Sequence, residues 1–448
     1  MRAIVVGAGE VGLTIARHLV AEHHDIVLID KNEERLKITT EHLDVKTVQG
    51  NGAHPSVLEE SGCAGADMII AVTDEDEVNM VACQIAHTFF SVPKKIARVR
   101  ESAYLGLTRG KLYTPENMPV DTIISPEQEV AEAILRALAV PGAFDASFFA
   151  DGKLNLIGTH VAEGAPIIGV PVKKYYKKLR SKFTLMAIYR GNRLLVPEGA
   201  DHLEEGDEVF FLCKKDNVKD SMSLMGFDGP PLQRVLVIGG GNIGFEVCQS
   251  LEKEGLNIRV LEQDLERAEE LADVLSTTTV LHGDALDRDL LLQENIGKMD
   301  VVLSVTSNDS ANILSSILAK QLGAKSVITL ITQPTFIPLA ESLGLDQIIC
   351  PQEITISKIL QNTRSSRVIN LHTMHDGKAE VAEIEISEDS PLIGQHLNNA
   401  SVPDGVILGG VKNLEGIFLA HKEIQLHERD RVTLFFKQEQ IEDVENLF

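Results

Sequence analysis

Short apolar runs at Ala3–Val6, Ile26–Ile29 and Met68–Val72 alternate with longer stretches in which apolar residues recur at helical spacing. The same alternation returns at Val235–Ile238, Ile258–Leu261 and Val301–Val305. Runs this short, rich in β-branched residues and bounded by turn formers, are expected of strands buried on both faces of a parallel sheet. Strands of that kind alternating with amphipathic stretches predict an α/β architecture, present twice. SPEQEVAEAILRALAVPGA, with Glu127, Glu129 and Glu132 near its start, predicts a helix that ends before Pro141-Gly142. CPQEITISKILQNTRSS is its counterpart in the second half, and each helix is read as closing the lobe it follows.

The turn after each first strand carries the chemistry. MRAIVVGAGEVG places Gly7, Gly9 and Gly12 behind Ala3–Val6, and QRVLVIGGGNIG places Gly239, Gly241 and Gly244 behind Val235–Ile238. In a Rossmann-like βα turn the first glycine permits the tight bend. The second leaves room for a pyrophosphate, and the third lets the helix approach the strand. The helix N-terminus then supplies unpaired N–H groups and a favourable dipole for the phosphates. Asp30 and Glu262 end the next apolar runs at the same spacing in both copies, where a carboxylate accepts ribose hydroxyls. That carboxylate repels a 2′-phosphate, which favours NAD or an adenine nucleotide over NADP, while Lys31 and Arg35 soften the exclusion in the first copy. A glycine-rich turn with no ligand is the alternative reading of either copy.

The repeat continues. VQGNGAHPSVLEESGCAGADMIIAVTDEDEVNM aligns with LHGDALDRDLLLQENIGKMDVVLSVTSNDSANI, so Asn51 matches Asp284 and Thr73 matches Thr306. Asn51 and Asp284 follow the third strand, where they can hydrogen-bond an adenine edge. Thr73-Asp74 and Thr306-Ser307 follow the fourth, at the carboxyl edge where α/β sheets bind ligands. Each of these residues also suits a turn or a helix cap with no ligand. The copies part at the fifth strand. KKIARVRES carries Arg98 and Arg100, and the aligned KSVITLITQ carries no arginine. A guanidinium there can fork onto a phosphate, which makes the first site the stronger one; a solvent-facing arginine on an edge strand is the plainer reading.

Composition narrows the class. Lys and Arg number 42 against 66 Asp and Glu, a formal charge of −24, which argues against nucleic acid and against direct adsorption to anionic lipid. Aromatic residues are only 4% with no Trp, so base-stacking platforms are scarce. No apolar run approaches the roughly 20 residues of a membrane span, and the chain begins on a strand, so a soluble, cytosolic protein is expected. Five scattered cysteines suit apolar packing in a reducing compartment, and no motif holds a metal.

Some eighty residues of another character follow each α/β lobe. Both segments hold a P-[IL]-I-G element, Pro166 to Gly169 and Pro391 to Gly394, then a helix-like stretch and β-rich runs. They end in GDEVFFL and RDRVTLFF, with Gly206-Asp207 and Arg429-Asp430 in the preceding turns. No nucleophile, base or catalytic residue stands out in them. The fold class is therefore α/β, two Rossmann-like parallel-sheet lobes each followed by a small α+β lobe, with boundaries at 1–140, 141–225, 232–365 and 366–448. Met222, Met225 and Pro230-Pro231 suggest an exposed, semi-stiff linker between the halves. KKYYKKLR, Lys173 to Arg180, is a basic cluster in an acidic chain, read as a solvated helix face or as a meeting point for an acidic partner, an anionic ligand or the membrane surface.

This order of lobes resembles the tandem RCK (regulator of potassium conductance) family, above all the peripheral nucleotide-binding subunits of bacterial potassium-uptake systems. The resemblance rests on MRAIVVGAGEVG with LIDKNEERL, on QGNGAHPSVLEESG, AVTDEDEVNM and IARVR, on GGGNIG with VLEQD, and on the paired P-[IL]-I-G lobes. It implies binding of NAD(H), and of ATP or ADP, and control of a membrane-embedded potassium transporter from the cytoplasmic side of the inner membrane. It implies homo-oligomerisation, with a tetramer presenting eight lobes. Carried onto this chain, the site comprises Gly7, Ala8, Gly9, Glu10, Val11, Asp30, Thr73, Asp74 and Arg98, with a related set from Gly239 through Gly241, Asn242, Ile243 and Gly244 to Glu262. Control of another ion channel or of a potassium-efflux antiporter is an alternative. An NAD-dependent dehydrogenase is another, but the small lobes offer no enclosed substrate site, and a dehydrogenase has little use for a second fingerprint. Since the chain begins at a Rossmann strand, a separate peripheral subunit is expected.

Overall fold

A computed structural model describes residues 1–106, 109–174, 182–191, 193–228, 232–363, 368–374, 378–420 and 422–448. Two of its four sheets are parallel and two antiparallel. In the first parallel sheet the strands are β1 (Arg2–Val6), β2 (Asp25–Asp30), β3 (Lys46–Gln49), β4 (Met68–Ala71), β5 (Lys94–Arg98) and β6 (Thr122–Ile124), in the order β3-β2-β1-β4-β5-β6. Order reverses beside β1, which pairs Val6 with Ile29 on one side and with Ala71 on the other. That reversal is the switch point where open α/β sheets bind ligands.

The chain forms two compact units. The first consists of Met1–Ala131 together with Leu330–Ile337 and Ile349–Thr363. Its second-half contribution includes the helix Pro351–Thr363, whose Ile356, Ile359 and Leu360 lie on one face and share a core with Ile15 and Leu19 of the helix Glu10–Ala21. Thr122 Oγ1 donates to Asn362 Oδ1 at 3.2 Å, and Lys358 pairs with Glu129 at 3.4 Å. The expectation that each such helix closes the lobe it follows therefore fails for this one. Its periodicity announces an apolar face, but nothing in that period says which lobe covers it.

The second unit consists of Glu132–Thr329, Pro338–Ile348 and Arg364–Phe448. The second parallel sheet repeats the first in order: β12 (Arg234–Ile238), β13 (Asn257–Glu262), β14 (Thr279–His282), β15 (Val301–Ser304), β16 (Val327–Leu330) and β17 (Gln347–Ile349), arranged β14-β13-β12-β15-β16-β17. One antiparallel sheet holds β7 (Ala143–Phe149), β8 (Leu154–His160), β9 (Phe183–Arg190), β10 (Arg193–Leu195) and β11 (Glu208–Lys214). The other holds β18 (Val368–Met374), β19 (Ala379–Glu385), β20 (Ile407–Asn413), β21 (Gly416–Leu419) and β22 (Arg431–Lys437).

The consecutive aromatics of the final strands follow from burial on both faces. Phe210 and Phe435 enter a core shared by the two antiparallel sheets, with Phe149, Leu156, Met374 and Val381. Phe211 points to the opposite core of its own sheet, and Leu434 and Phe436 do the same in the other. Polar contacts reinforce the shared core: the Ala150 N–H donates to Glu383 Oε2 at 3.0 Å, and Asp151 pairs with Lys412 and with Arg431. Gly206-Asp207 and Arg429-Asp430 are the turns before β11 and β22, and Asp207 is buried beneath a bidentate contact from Arg190 at 2.8 Å.

Met222 and Met225 are not in an exposed linker. They are buried, at 4% and 0% exposure, in the core of the β7–β11 lobe, because the helix Val218–Leu224 folds back onto that sheet. Pro230-Pro231 falls outside the described residues, and the basic run Lys173–Arg180 does so from position 175 onward. Among the described residues no helix is long and apolar enough to cross a membrane. All five cysteines are free and buried. Burial pushes the Cys63 thiol up to about 11 and those of Cys213 and Cys248 up to about 12, so they serve as packing groups.

Candidate nucleotide site

The first glycine turn has the geometry its sequence calls for. Gly7 adopts φ +110°, a region L side chains rarely enter, and a Cβ there would stand 3.1 Å from the Thr73 nitrogen. A Cβ on Gly12 would fall 1.9 Å from the Gly7 carbonyl oxygen, so only glycine lets the helix start this close to the turn. Gly9 is different in kind: a Cβ there meets no protein atom within 4 Å. The second glycine is thus not required by packing, and the space beside it is open.

That space is a cavity of about 400 Å³ along the carboxyl edge of the first sheet. Gly7, Gly9, Glu10 and Val11 line it where the helix Glu10–Ala21 begins. Asp30, Lys31 and Asn51 line it at the β2–β3 end, and Thr73, Asp74 and Arg98 beyond β4 and β5. Asp30 is buried and fixed, Oδ2 accepting from the Ala8 N–H at 2.6 Å and Oδ1 from the Asn32 N–H at 2.7 Å. Each oxygen keeps a further lone pair with which to accept a hydrogen bond. Lys31 pairs with Glu75 at 2.6 Å, and the hydrogen bond to that carboxylate raises the Lys31 pKa. Asn51 Oδ1 accepts from the Ala53 N–H at 2.9 Å, a turn-forming role alongside its place in the cavity wall.

Arg98 is 8% exposed, in a strand flanked by β4 and β6, which removes the solvent-facing edge-strand reading. One terminal nitrogen donates to the Thr73 carbonyl at 3.1 Å and to Asp74 Oδ1 at 2.7 Å, while the buried Nε has no hydrogen-bond partner. A buried guanidinium N–H without an acceptor is costly, and an anion in the cavity is a natural acceptor. Arg100 is exposed and donates through Nε to Glu127 at 3.2 Å.

The second turn copies the backbone. Gly239 has φ +103°, a Cβ on Gly244 would fall 1.9 Å from the Gly239 oxygen, and Gly241 faces open space. Glu262 Oε2 accepts from the Gly240 N–H at 2.7 Å, and Oε1 accepts from Gln263 and Asp264. Asn242 and Ile243 open the helix Asn242–Glu252, and Asp284 Oδ1 accepts from the Leu286 N–H at 2.8 Å. What differs is the surroundings. Arg267 donates to the Gly240 carbonyl at 2.9 Å and lies 5.9 Å from the Phe245 ring centroid, so its guanidinium is held beside the glycine turn. Ser304 pairs with Thr329 as Ala71 pairs with Ala97, which puts Leu330 at the register position of Arg98.

Two residues tie the fourth strand's exit to the next helix and went unnoticed in the sequence. Asn79, wholly buried, accepts from the Thr73 N–H at 2.8 Å and donates to the Thr73 and Arg98 carbonyls. Asn312 treats Thr306 likewise, accepting its N–H at 2.9 Å and its hydroxyl at 2.7 Å. A threonine followed six positions later by an asparagine, in both copies, was the available signal.

Matches to known proteins follow the same fourfold division. The TrkA-N domain model matches residues 3–126 and 235–351, and the TrkA-C domain model matches residues 160–226 and 381–448. The chain belongs to the TrkA family. The Trk system potassium uptake protein TrkA of Azorhizobium caulinodans is 38% identical over 451 residues, covering 100% of this chain and 98% of that relative. The protein of the same name from Halomonas elongata is 39% identical over 453 residues, with the same coverage. Among solved structures, the GsuK RCK domain superposes with a TM-score of 0.61 at 17% identity, covering 100% of this chain and 94% of that one. The GsuK channel bound to NAD gives a TM-score of 0.61 at 17% identity, covering 100% of this chain and 78% of that one. These structures establish the RCK fold.

Within this TrkA-family chain, the cavity wall also includes Thr332, Pro351, Gln352 and Thr355, which reach it from the second half. No local motif marks them, because their place depends on where the helix Pro351–Thr363 packs.

Proposed function

We propose that this chain is the regulatory subunit of a Trk-type potassium-uptake system and that its first Rossmann lobe senses NAD(H), with ADP or ATP as competing ligands. The open space at Gly9, facing a cavity that also holds Asp30 and an unsatisfied Arg98 Nε, carries this reading. The phosphates sit against the N–H groups of Gly9 to Val11 and against Arg98. The ribose hydroxyls go to Asp30, and the adenine to the side of Asn51. Arg267 across the second turn and Leu330 in place of Arg98 support a weaker or silent second site.

The nucleotide acts as a signal and not as a hydride carrier, a reading supported by the relatives' name, a potassium uptake protein. The relatives' name and the full-length identity support a membrane-embedded transporter as partner, reached by a peripheral protein on the cytoplasmic side. Assembly as a homo-oligomer, a tetramer with eight lobes, suits a device that adds small ligand preferences over several sites; tenfold discrimination per site supplies about 1.4 kcal/mol. The test is potassium uptake into vesicles holding the purified membrane subunit. Adding this chain makes uptake depend on NADH. Uptake indifferent to NADH and ADP in the presence of the chain refutes the sensor role.

A further inference from the structure

Strand order gives the cavity a direction. It runs from Asp30 at the end of β2, past the glycine turn after β1 and Thr73 after β4, to Arg98 at the end of β5 and Pro126 after β6. Strands lie about 4.8 Å apart, so the four steps from β2 to β6 span roughly 19 Å. A ligand anchored by its ribose at Asp30 and by its phosphates at the glycine turn has used the near half of that length. Arg98 and Pro126 mark its far end, and the second-half residues Thr332, Gln352 and Thr355 line the same cavity. The helix that carries Gln352 and Thr355 is tied to β6 by Thr122 and to the following helix by Glu129, and it packs against the helix Glu10–Ala21 through Ile356, Ile359 and Leu360. Thr355 is buried, Gln352 is half-buried in the first turn, and the Arg98 Nε lacks a partner in the same wall.

We infer that the far wall makes the site a ruler for ligand length: the second nucleoside of a dinucleotide contacts Gln352 and Thr355, and a nucleoside diphosphate does not. This rests on the nucleotide reading above and adds to it the device that tells one ligand from another. Both ligands satisfy the glycine turn and Asp30, so those contacts alone cannot make their effects differ. Contact with the helix Pro351–Thr363 can, because that helix belongs to the second half of the chain and leads directly into its last lobe. A dinucleotide therefore ties the first lobe's ligand to second-half residues, while a diphosphate leaves that helix unbridged.

The experiment uses the full chain, with NADH and ADP as probes. Affinities are measured by calorimetry for the unmodified protein and for Gln352→Ala, and amide hydrogen exchange is followed over residues 351–363 with each ligand. Gln352→Ala is expected to weaken NADH at least fivefold and to leave ADP within twofold, and NADH alone is expected to slow exchange in the helix. An NADH-selective effect in either measurement supports the inference. If both ligands bind the unmodified chain, yet Gln352→Ala affects them equally or not at all and helix exchange is the same with either, the ruler is wrong while the nucleotide site stands. If the unmodified chain binds neither, the parent reading fails and this one with it.

Discussion

Arg98 donates to Asp74 at 2.7 Å across the carboxyl edge of the first sheet, joining a guanidinium that is nearly buried to a carboxylate that is mostly exposed. The pair holds the arginine over the cavity while its Nε stays unpartnered. A phosphate arriving from the glycine turn meets a cation already in place and has only an exposed, well-solvated carboxylate to displace.

Arg98→Lys keeps the charge and loses the fork. It is expected to weaken NADH binding by about 1–2 kcal/mol, roughly a five- to thirtyfold rise in Kd, read by calorimetry at fixed salt. Arg267→Lys, at the second glycine turn, leaves NADH affinity unchanged in the same assay. An equal loss in both variants contradicts the assignment of Arg98.

The glycines separate packing from binding. Gly12→Ala forces a methyl to within 1.9 Å of the Gly7 carbonyl oxygen and is expected to destabilise the first lobe by more than about 2 kcal/mol, seen as a lower Tm. Gly9→Ala meets no protein atom within 4 Å and leaves Tm within a degree or two.

Glu383 lies buried between the two antiparallel sheets, and that burial raises its pKa above the ordinary carboxylate value despite the Ala150 N–H and Arg431. The native state then holds a proton that the unfolded chain releases, so the stability tied to this group falls as pH climbs from the normal carboxylate range through the raised value. Glu383→Gln keeps an oxygen for the Ala150 N–H and removes the charge. It is expected to raise Tm at neutral pH by more than at pH 4, with the gap closing as pH falls. A pH-independent difference contradicts the assignment.

Much of this was legible in the sequence because its cause is local. Gly7, Gly9, Gly12 and Asp30 sit within one βα unit, and spacing alone fixes how they meet. What escaped is what depends on long-range packing. The helix Pro351–Thr363 shows its apolar face in Ile356, Ile359 and Leu360 but not the lobe that covers it, so Gln352 and Thr355 could not be assigned to the first cavity. Met222 and Met225 read as linker because the chain around them is polar and proline-rich, yet the helix Val218–Leu224 folds back onto β-sheet and both methionines join its core. Asn79 is a single polar residue inside an amphipathic pattern, and its importance lies in bonds to two strand exits that the sequence separates.

The central claim is that the first lobe binds the nucleotide and the second does not bind it comparably. Calorimetric titration of NADH into the full chain and into Gly9→Val and Gly241→Val tests it most directly, since a Cβ at either position meets no protein atom within 4 Å. The account predicts one tight site per chain, lost in Gly9→Val and retained in Gly241→Val. Two equivalent sites per chain, or a Gly9→Val protein that still binds with full affinity, would contradict it.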